Sequence, residues 1–336
     1  MPKCLLLNGE YDNPAYLEDI LHNGFQQRIL NLEADSGGTE TAVLVRRLAD
    51  CSSGENLDPS VQKAVLYVHG FNDYFFQKEA AYFFNEKGYN FYGLDLRKCG
   101  RSASSCQKFD GIGDMRIYHE EILEVLKIIY LEGNQDVVLF GHSLGGLILT
   151  LFAKDYSDEN LFDGLILNSP FYSFNTVRTK KTWLTLASHL ARIMPDVEIS
   201  TSFSEEYGKS LHKDSRGEWN YNLNWKPHRA PKIPLSWLRA AFSAHRELLN
   251  RFEVKKPVLV MCSGESLIDL TERKKIHLSD IVSDVRDISA VSDNIDGEID
   301  FVQFDGGVYD LLLSDEKVRK EVYETIFGWL LKNDFL

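Results

Sequence analysis

The chain has 336 residues, of which 44% are hydrophobic and 26% are charged, a composition typical of globular proteins and unlike that of disordered ones. Its formal net charge is -13, from 50 acidic and 37 basic side chains, and such a negative field repels phosphate backbones, so nucleic acid is not an expected partner. The length predicts one large domain that carries a smaller one.

Hydropathy and cysteine spacing favour a cytoplasmic protein. The apolar run Cys4–Leu7 is too short for a secretory signal, and no stretch approaches the ~20 apolar residues of a membrane helix. Five cysteines at irregular spacing indicate neither a disulfide framework nor a zinc site. We therefore expect no integral membrane segment and no metal, while the sequence does not indicate an oligomeric state.

The first elements along the chain predict an antiparallel hairpin. Residues 25–32 and 41–47 are β-rich and flank the turn-forming residues 35–38. Beyond the hairpin, short apolar runs without clean alternation are typical of strands buried on both faces of a parallel sheet. These runs are residues 64–68, 89–94, 137–140, 165–167, 257–262 and 299–304.

Amphipathic helices are expected between these strands. Apolar residues recur at helical spacing in two stretches, namely Ile122, Val125, Leu126 and Ile129, and then Val318, Val322, Ile326 and Trp329. Alternation of strands and helices predicts an α/β fold with a mostly parallel, doubly wound sheet.

Residues 173–250 interrupt the alternation. They contain four of the five tryptophans, Trp183, Trp219, Trp225 and Trp237. An insertion of this kind between two strands predicts a helical cap over the carboxyl edge of the sheet, where ligands bind in open α/β folds. Residues 1–172 and 251–336 would then form the core. The alternative is a peripheral helical subdomain with its own core.

A nucleophile motif follows the strand at residues 137–140. The sequence Gly141-His142-Ser143-Leu144-Gly145 joins this strand to an apolar helix, which is the context of a nucleophile elbow. The tight turn requires glycine two residues before and after the serine, and the helix points its first amides at the reacting oxygen. Ser143 is therefore the predicted nucleophile, against the alternative of an ordinary strand-to-helix turn.

A second loop supplies the rest of an oxyanion hole. An acyl-transfer site needs two backbone donors, one after the nucleophile and one from an earlier loop. The earlier loop begins with His69-Gly70-Phe71, so the expected donors are the amides of Phe71 and Leu144. We interpret His69 itself as a residue that holds the turn.

Several segments together resemble a known family. They are HGFNDYFFQ (69–77), FYGLDLRKCGRS (91–102), GHSLGG (141–146), LNSPF (167–171), RGEWNYNLNWKP (216–227) and PVLVMCS (257–263). In these motifs the chain resembles bacterial α/β-hydrolases of the serine aminopeptidase S33 group, which includes monoacylglycerol-lipase-like and lysophospholipase-like enzymes. The resemblance implies the α/β-hydrolase fold, a cap before the late strands, a Ser-acid-His triad in that order, and cofactor-free hydrolysis of esters or, less often, amides.

The same resemblance implies the other triad positions. The acid follows the strand at residues 257–262, and Asp280 is the best match, with Asp269 and Asp284 as alternatives. Relatives have a histidine after the last core strand, in a Gly-Gly-x-His-Asp pattern. This chain has Tyr309 in the histidine's place.

A tyrosine is a poor general base. An unperturbed phenol has a pKa of about 10 and is protonated at neutral pH, and losing the base of a triad costs roughly 10⁴-fold to 10⁶-fold in turnover. His277, three residues before Asp280, is the alternative base. We expect His142 to point away from the site and His119 to lie on the surface.

Two functions are consistent with these residues. The first is a serine hydrolase that cleaves a small or lipid-like carboxylic ester through Ser143. The second is a hydrolase-fold protein that has lost turnover and binds a ligand or partner in the same pocket. A third possibility is that Tyr309 is a single substitution, natural or introduced, in an active lineage.

Overall fold

The structure is a computed structural model that describes residues 15–33, 39–49, 62–103, 112–174, 187–200, 205–267 and 276–335. The predicted turn at residues 35–38, the alternative acid Asp269 and the cap residue Trp183 lie outside these ranges.

A nine-stranded sheet occupies the centre of the described chain. Its strands are β1 (Leu17–Glu18), β2 (Gln26–Glu33), β3 (Thr39–Arg47), β4 (Gln62–Val68), β5 (Tyr89–Asp95), β6 (Asn134–His142), β7 (Gly164–Asn168), β11 (Val258–Ser263) and β13 (Ile299–Phe304). Their spatial order is β1-β2-β3-β5-β4-β6-β7-β11-β13. Two small strand pairs lie outside it, β8 (Glu198–Ile199) with β9 (Ile233–Pro234), and β10 (Phe252–Glu253) with β12 (Ile295–Asp296).

The strand pairing confirms the predicted antiparallel hairpin and the predicted parallel region of the sheet. β2 and β3 pair antiparallel, from Gln26 opposite Arg46 to Glu33 opposite Thr39, and β3 is also antiparallel to β5. All pairings from β5 across to β13 are parallel. One expectation was wrong, because β13 is the edge strand and most of its residues are partly exposed rather than buried on both faces.

Helices cover both faces of the sheet. They are α1 (Lys78–Glu86), α2 (His119–Leu131), α3 (Leu144–Asp155), α4 (Glu205–Leu211), α5 (Leu235–Leu248), α6 (Val285–Ser292) and α7 (Glu316–Lys332). The two predicted amphipathic stretches lie in α2 and α7, and their apolar residues are buried there. The apolar spacing thus predicted both the helices and the faces that pack on the sheet.

The insertion after β7 does not interrupt the sheet. β11 pairs directly with β7, with Val258 opposite Leu165, although about ninety residues separate the two strands. Because parallel strands share one carboxyl edge, the loops after β4, β6, β7, β11 and β13 meet at that edge. Among the described candidate residues, Phe71, Ser143, His277, Asp280 and Tyr309 lie in these loops.

The insertion divides into two parts by its packing. α4 and the segment up to residue 232 lie outside the main core, whereas α5 buries Trp237 and Leu238 in the same apolar cluster as the central strands. Ala187 and Ala191, earlier in the insertion, also belong to this cluster, and the boundaries of the cap at residues 173 and 250 stay a prediction. Among the helices of the described residues, none combines the length and the apolar composition that crossing a lipid bilayer requires.

Candidate active site

Ser143 lies on a sharp turn between β6 and α3. β6 ends at His142 and α3 begins at Leu144, so one residue makes the whole connection. Its backbone has φ 53° and ψ -115°, a conformation that L-residues rarely adopt and that is typical of functional sites. Leu144 is the first residue of α3, where backbone N–H groups have no partner within the helix.

The two glycines of the motif are required by close backbone approach. A side-chain carbon on Gly145 would lie 2.2 Å from the Val68 carbonyl oxygen and 2.6 Å from that of His69. One on Gly141 would lie 2.8 Å from the carbonyl group of Gly145. These contacts involve backbone atoms that cannot move aside, as the steric argument from the sequence predicts.

The loop after β4 brings Phe71 close to Ser143. The His69 imidazole accepts a hydrogen bond from the Leu96 amide at Nε2 (3.0 Å), and its Nδ1 lies 2.7 Å from the Gly70 carbonyl oxygen. His69 therefore holds this loop in place, as expected. Phe71 and Ser143 line one cavity, which places the loop beside the reacting hydroxyl.

Asp280 is a fully buried carboxylate with one satisfied oxygen. Its Oδ1 accepts hydrogen bonds from the amides of Val282 and Ser283, each at 2.7 Å. Its Oδ2 has no hydrogen-bond partner among the described residues. Burial raises the pKa of Asp280 to about 7, and the two amide hydrogen bonds act in the opposite direction.

Tyr309 lies where the triad histidine is expected and contacts Ser143 directly. Its hydroxyl donates a hydrogen bond to Ser143 Oγ, and its side chain is 4% exposed. Burial and the negative charge of Asp280 raise the pKa of this phenol well above its ordinary value. The phenol is thus a hydrogen-bond donor to Ser143 at neutral pH and not a proton acceptor.

The alternative acid Asp284 and the alternative base His277 do not line the Ser143 cavity. Asp284 accepts a hydrogen bond from the Arg286 amide at the start of α6 and pairs with the Arg286 guanidinium. His277 is half-buried in the segment before Asp280 and is not among the residues that line the Ser143 cavity.

Two histidines differ from the expectation. His119 is buried against Phe152 and Tyr156 rather than on the surface, and burial lowers its pKa to about 4. His142 does not point away from the site, because it lines the same cavity as Ser143 and packs edge-on against Tyr309 with ring centroids 5.1 Å apart.

A buried charged cluster surrounds His142. Its Nδ1 lies 3.8 Å from Asp73 Oδ2 and 3.9 Å from Asp310 Oδ2, and Lys226 Nζ from the insertion lies 2.7 Å from Asp73 Oδ1. Asp310 is held in place by Asn168 Nδ2, which donates to its Oδ1 at 2.8 Å. Sequence reasoning missed this cluster, and the only available signal was Asp310 beside Tyr309.

The ligand atoms of Asp73, His142 and Asp310 lie within 4.8 Å of one another, a spacing that metal sites also have. The Lys226 ammonium already supplies a positive charge at this point. A second cation beside it would be repelled, so we describe the group as an ion-pair network.

The cavity at Ser143 is small, with a volume of about 50 Å³. The insertion covers it with Tyr207, Lys226, Pro227 and His228. None of the tryptophans that the structure describes in the insertion lines it. A larger cavity of about 390 Å³ lies between α5 and α6 and does not include Ser143.

The sheet order, the elbow and the insertion define the class of this protein, which has the α/β-hydrolase fold. Residues 59–284 match the family model described as serine aminopeptidase, S33. Since the match spans more than half of the chain, the chain belongs to this family. The matched residues end before Tyr309, and comparison with curated protein sequences finds no significant match.

Solved structures with the same fold include lipases and esterases. A soluble variant of monoglyceride lipase from Saccharomyces cerevisiae, in complex with a substrate analogue, is 18% identical over 91% of this chain and 94% of its own, with a TM-score of 0.64. Monoacylglycerol lipase from Paleococcus ferrophilus is 19% identical over 80% and 94% (TM-score 0.59). Est1E from Butyrivibrio proteoclasticus is 16% identical over 92% and 99% (TM-score 0.54). At these identities the likeness concerns the fold.

Proposed function

We propose that this chain is a serine hydrolase that cleaves a carboxylic ester through an acyl-enzyme on Ser143. The observation that carries the proposal is the strained, glycine-flanked turn that presents Ser143 to a cavity at the carboxyl edge of the sheet. In this role Ser143 attacks the ester carbonyl, and the amides of Phe71 and Leu144 stabilise the oxyanion. Asp280 holds the acid position of the triad.

Part of the cavity lining is aromatic or apolar, which supports a small or lipid-like ester as the substrate. The insertion, proposed as a cap, contributes the Tyr207 and His228 rings, and Phe71, Val282 and Tyr309 come from the rest of the chain. At about 50 Å³ the space is well below the ~300–1,000 Å³ of typical ligand pockets. Substrate entry therefore requires the cap segment to move outward.

A second candidate function is favoured by the hydrogen bond between Tyr309 and Ser143. This bond occupies the nucleophile and places a phenol where a base should be. Both features are expected of a hydrolase-fold protein that binds a ligand or partner without turnover.

Labelling and turnover distinguish the two candidates. The test measures fluorophosphonate labelling and hydrolysis of p-nitrophenyl acetate and butyrate by the full chain, with Ser143→Ala as the matched control. We expect labelling and slow ester turnover that both disappear in Ser143→Ala. A folded chain that neither labels nor turns over, and that stays inert when Tyr309 is replaced by histidine, would exclude the hydrolase proposal and favour the binding function.

A further inference from the structure

His142 is a buried titratable group in the cavity wall that the triad positions do not use. It ends β6 directly before the nucleophile and is 3% exposed. Neither of its ring nitrogens has a hydrogen-bond partner within the described part of the chain. Buried polar groups in proteins are normally hydrogen-bonded, so this ring requires a partner that enters the cavity.

Two carboxylates lie beside one nitrogen of the imidazole. Asp73 Oδ2 and Asp310 Oδ2 are 3.8 Å and 3.9 Å from Nδ1, too far for a hydrogen bond, so they leave the Nδ1 lone pair available in a neutral ring that carries its proton on Nε2. When Nδ1 accepts a proton, the same two negative charges stabilise the positive ring.

The ring is close enough to the nucleophile for a single bridging molecule. A side-chain carbon on Gly70 would lie 3.1 Å from His142 Nδ1 and 3.2 Å from Ser143 Oγ. The two atoms are therefore no farther apart than about two hydrogen-bond lengths. Because Tyr309 donates to Ser143 Oγ, the serine's own proton is directed to another acceptor.

We propose that His142 is the general base of this chain, acting on Ser143 through a bridging water in the cavity and replacing the histidine that is absent at position 309. The inference rests on the proposed hydrolase function and assigns a further catalytic residue to that site.

The charges around the ring are compatible with this role. The titratable and charged side chains that face it are Asp73, Asp310, Lys226, His69 and Tyr309. Burial lowers the pKa of His142, the two aspartates raise it, and Lys226 and His69 lower it. Since the net direction is downward, the ring is neutral at pH 7 and is available to accept a proton.

The reaction balances without any other group. Ser143 Oγ bonds to the ester carbonyl carbon while its proton passes through the water to His142. The bond to the alcohol oxygen then breaks, and His142 returns the proton to the departing alcohol. In deacylation a water attacks the acyl-enzyme, its proton passes to His142 and then to Ser143 Oγ, and the acid is released.

A four-variant comparison tests the assignment. Acylation by p-nitrophenyl butyrate and fluorophosphonate labelling are measured from pH 5 to 9 in the parent chain, His142→Gln, Tyr309→His and the double variant, with thermal unfolding to confirm folding. We expect His142→Gln to slow the parent by about 100-fold and to remove an ionisation from its pH profile. With histidine at position 309, the same change should alter the rate less than about threefold.

The other outcomes overturn the inference in distinguishable ways. An equal loss in both backgrounds means that His142 only supports the structure. An unchanged parent rate after His142→Gln, or a loss in His277→Gln instead, assigns the base elsewhere. If no variant labels at Ser143, including Tyr309→His, the hydrolase proposal itself fails together with the base assigned here.

Discussion

The hydrogen bonds of the Asp280 carboxylate bear directly on its proposed role as the triad acid. Its Oδ1 is held by two amides while its buried Oδ2 has no partner among the described residues. An imidazole at position 309 would offer an N–H group to such an oxygen, whereas Tyr309 directs its hydroxyl to Ser143. The unpartnered oxygen therefore supports the proposed role of Asp280 as the acid, with no histidine at position 309 to pair with it.

Tyr309→His is therefore expected to increase ester hydrolysis. A positioned imidazole contributes at least about 100-fold as a general base, and Asp280 is already in place to orient it. The measurement is kcat/KM for p-nitrophenyl butyrate. Tyr309→Phe is the control, because it removes the hydroxyl without supplying a base and should give no such gain. A folded Tyr309→His without any increase would mean that an imidazole at position 309 does not act on Ser143.

The buried charge of Asp280 also predicts a pH dependence of stability. Its folded pKa of about 7 lies above the ordinary value of about 3.9, so its contribution is largest at low pH and is lost as the pH rises from about 4 to about 7. The loss amounts to at most about 4 kcal/mol. Asp280→Asn should therefore be more stable than the parent at pH 8 and nearly equal to it at pH 4.

Urea unfolding of the two proteins across this range measures the effect. The difference in free energy of unfolding should grow between pH 4 and pH 8. Parallel curves would show that Asp280 is solvated or paired in solution.

At the scale of elements, the turn at Ser143 forms where β6 and α3 pack closely against the end of β4. Gly145 has no room for a side chain against the carbonyl oxygens of Val68 and His69. The same packing sets the position of Ser143 and of the loop that contains Phe71. The geometry at Ser143 and the stability of the fold consequently depend on the same contact.

Gly145→Ala should destabilise the fold by roughly 3 kcal/mol, since the clash is with backbone atoms. Gly328→Ala in α7 is the matched control. A side-chain carbon there meets nothing within 4 Å, so this variant should be more stable by about 0.5–1 kcal/mol. Chemical denaturation compares the two. Equal stability of Gly145→Ala and the parent would mean that β4 and α3 are farther apart than described.

At the scale of the whole molecule, the insertion after β7 is not uniform. The first part, from α4 to residue 232, is tied to the core by specific contacts, such as Asn72 Nδ2 donating to the Pro227 carbonyl at 2.9 Å and Trp225 against Tyr74 with centroids 5.1 Å apart. α5 instead buries Trp237 and Leu238 within the main core. Opening of the site should thus involve the first part and leave α5 in place.

Hydrogen exchange followed by mass spectrometry should separate these two parts. Amides of α5 are expected to exchange as slowly as those of the central strands, because they open only with the core. Amides of α4 should exchange faster. Removing the contact between Trp225 and Tyr74 with Trp225→Ala should accelerate exchange in α4 while α5 stays protected. Exchange of α5 together with α4 would support a cap that extends to residue 250.

The sequence alone determined the features that depend on neighbouring residues. Apolar runs and their spacing are local, so the strands β4 to β7 and the helices α2 and α7 were predictable. The nucleophile turn was predictable for the same reason, because its steric demand falls on Gly141 and Gly145 within five residues. The unusual residue at position 309 was visible as a departure from a motif.

Only the tertiary structure decided what surrounds those residues. The neighbours of His142 come from positions 73, 226 and 310, and no local pattern encodes contacts between residues so distant along the chain. The unpartnered oxygen of Asp280 and the docking of α5 in the core are likewise products of packing. Local sterics therefore made the turn at Ser143 predictable, whereas the candidate base depends on long-range contacts that exist only in the folded chain.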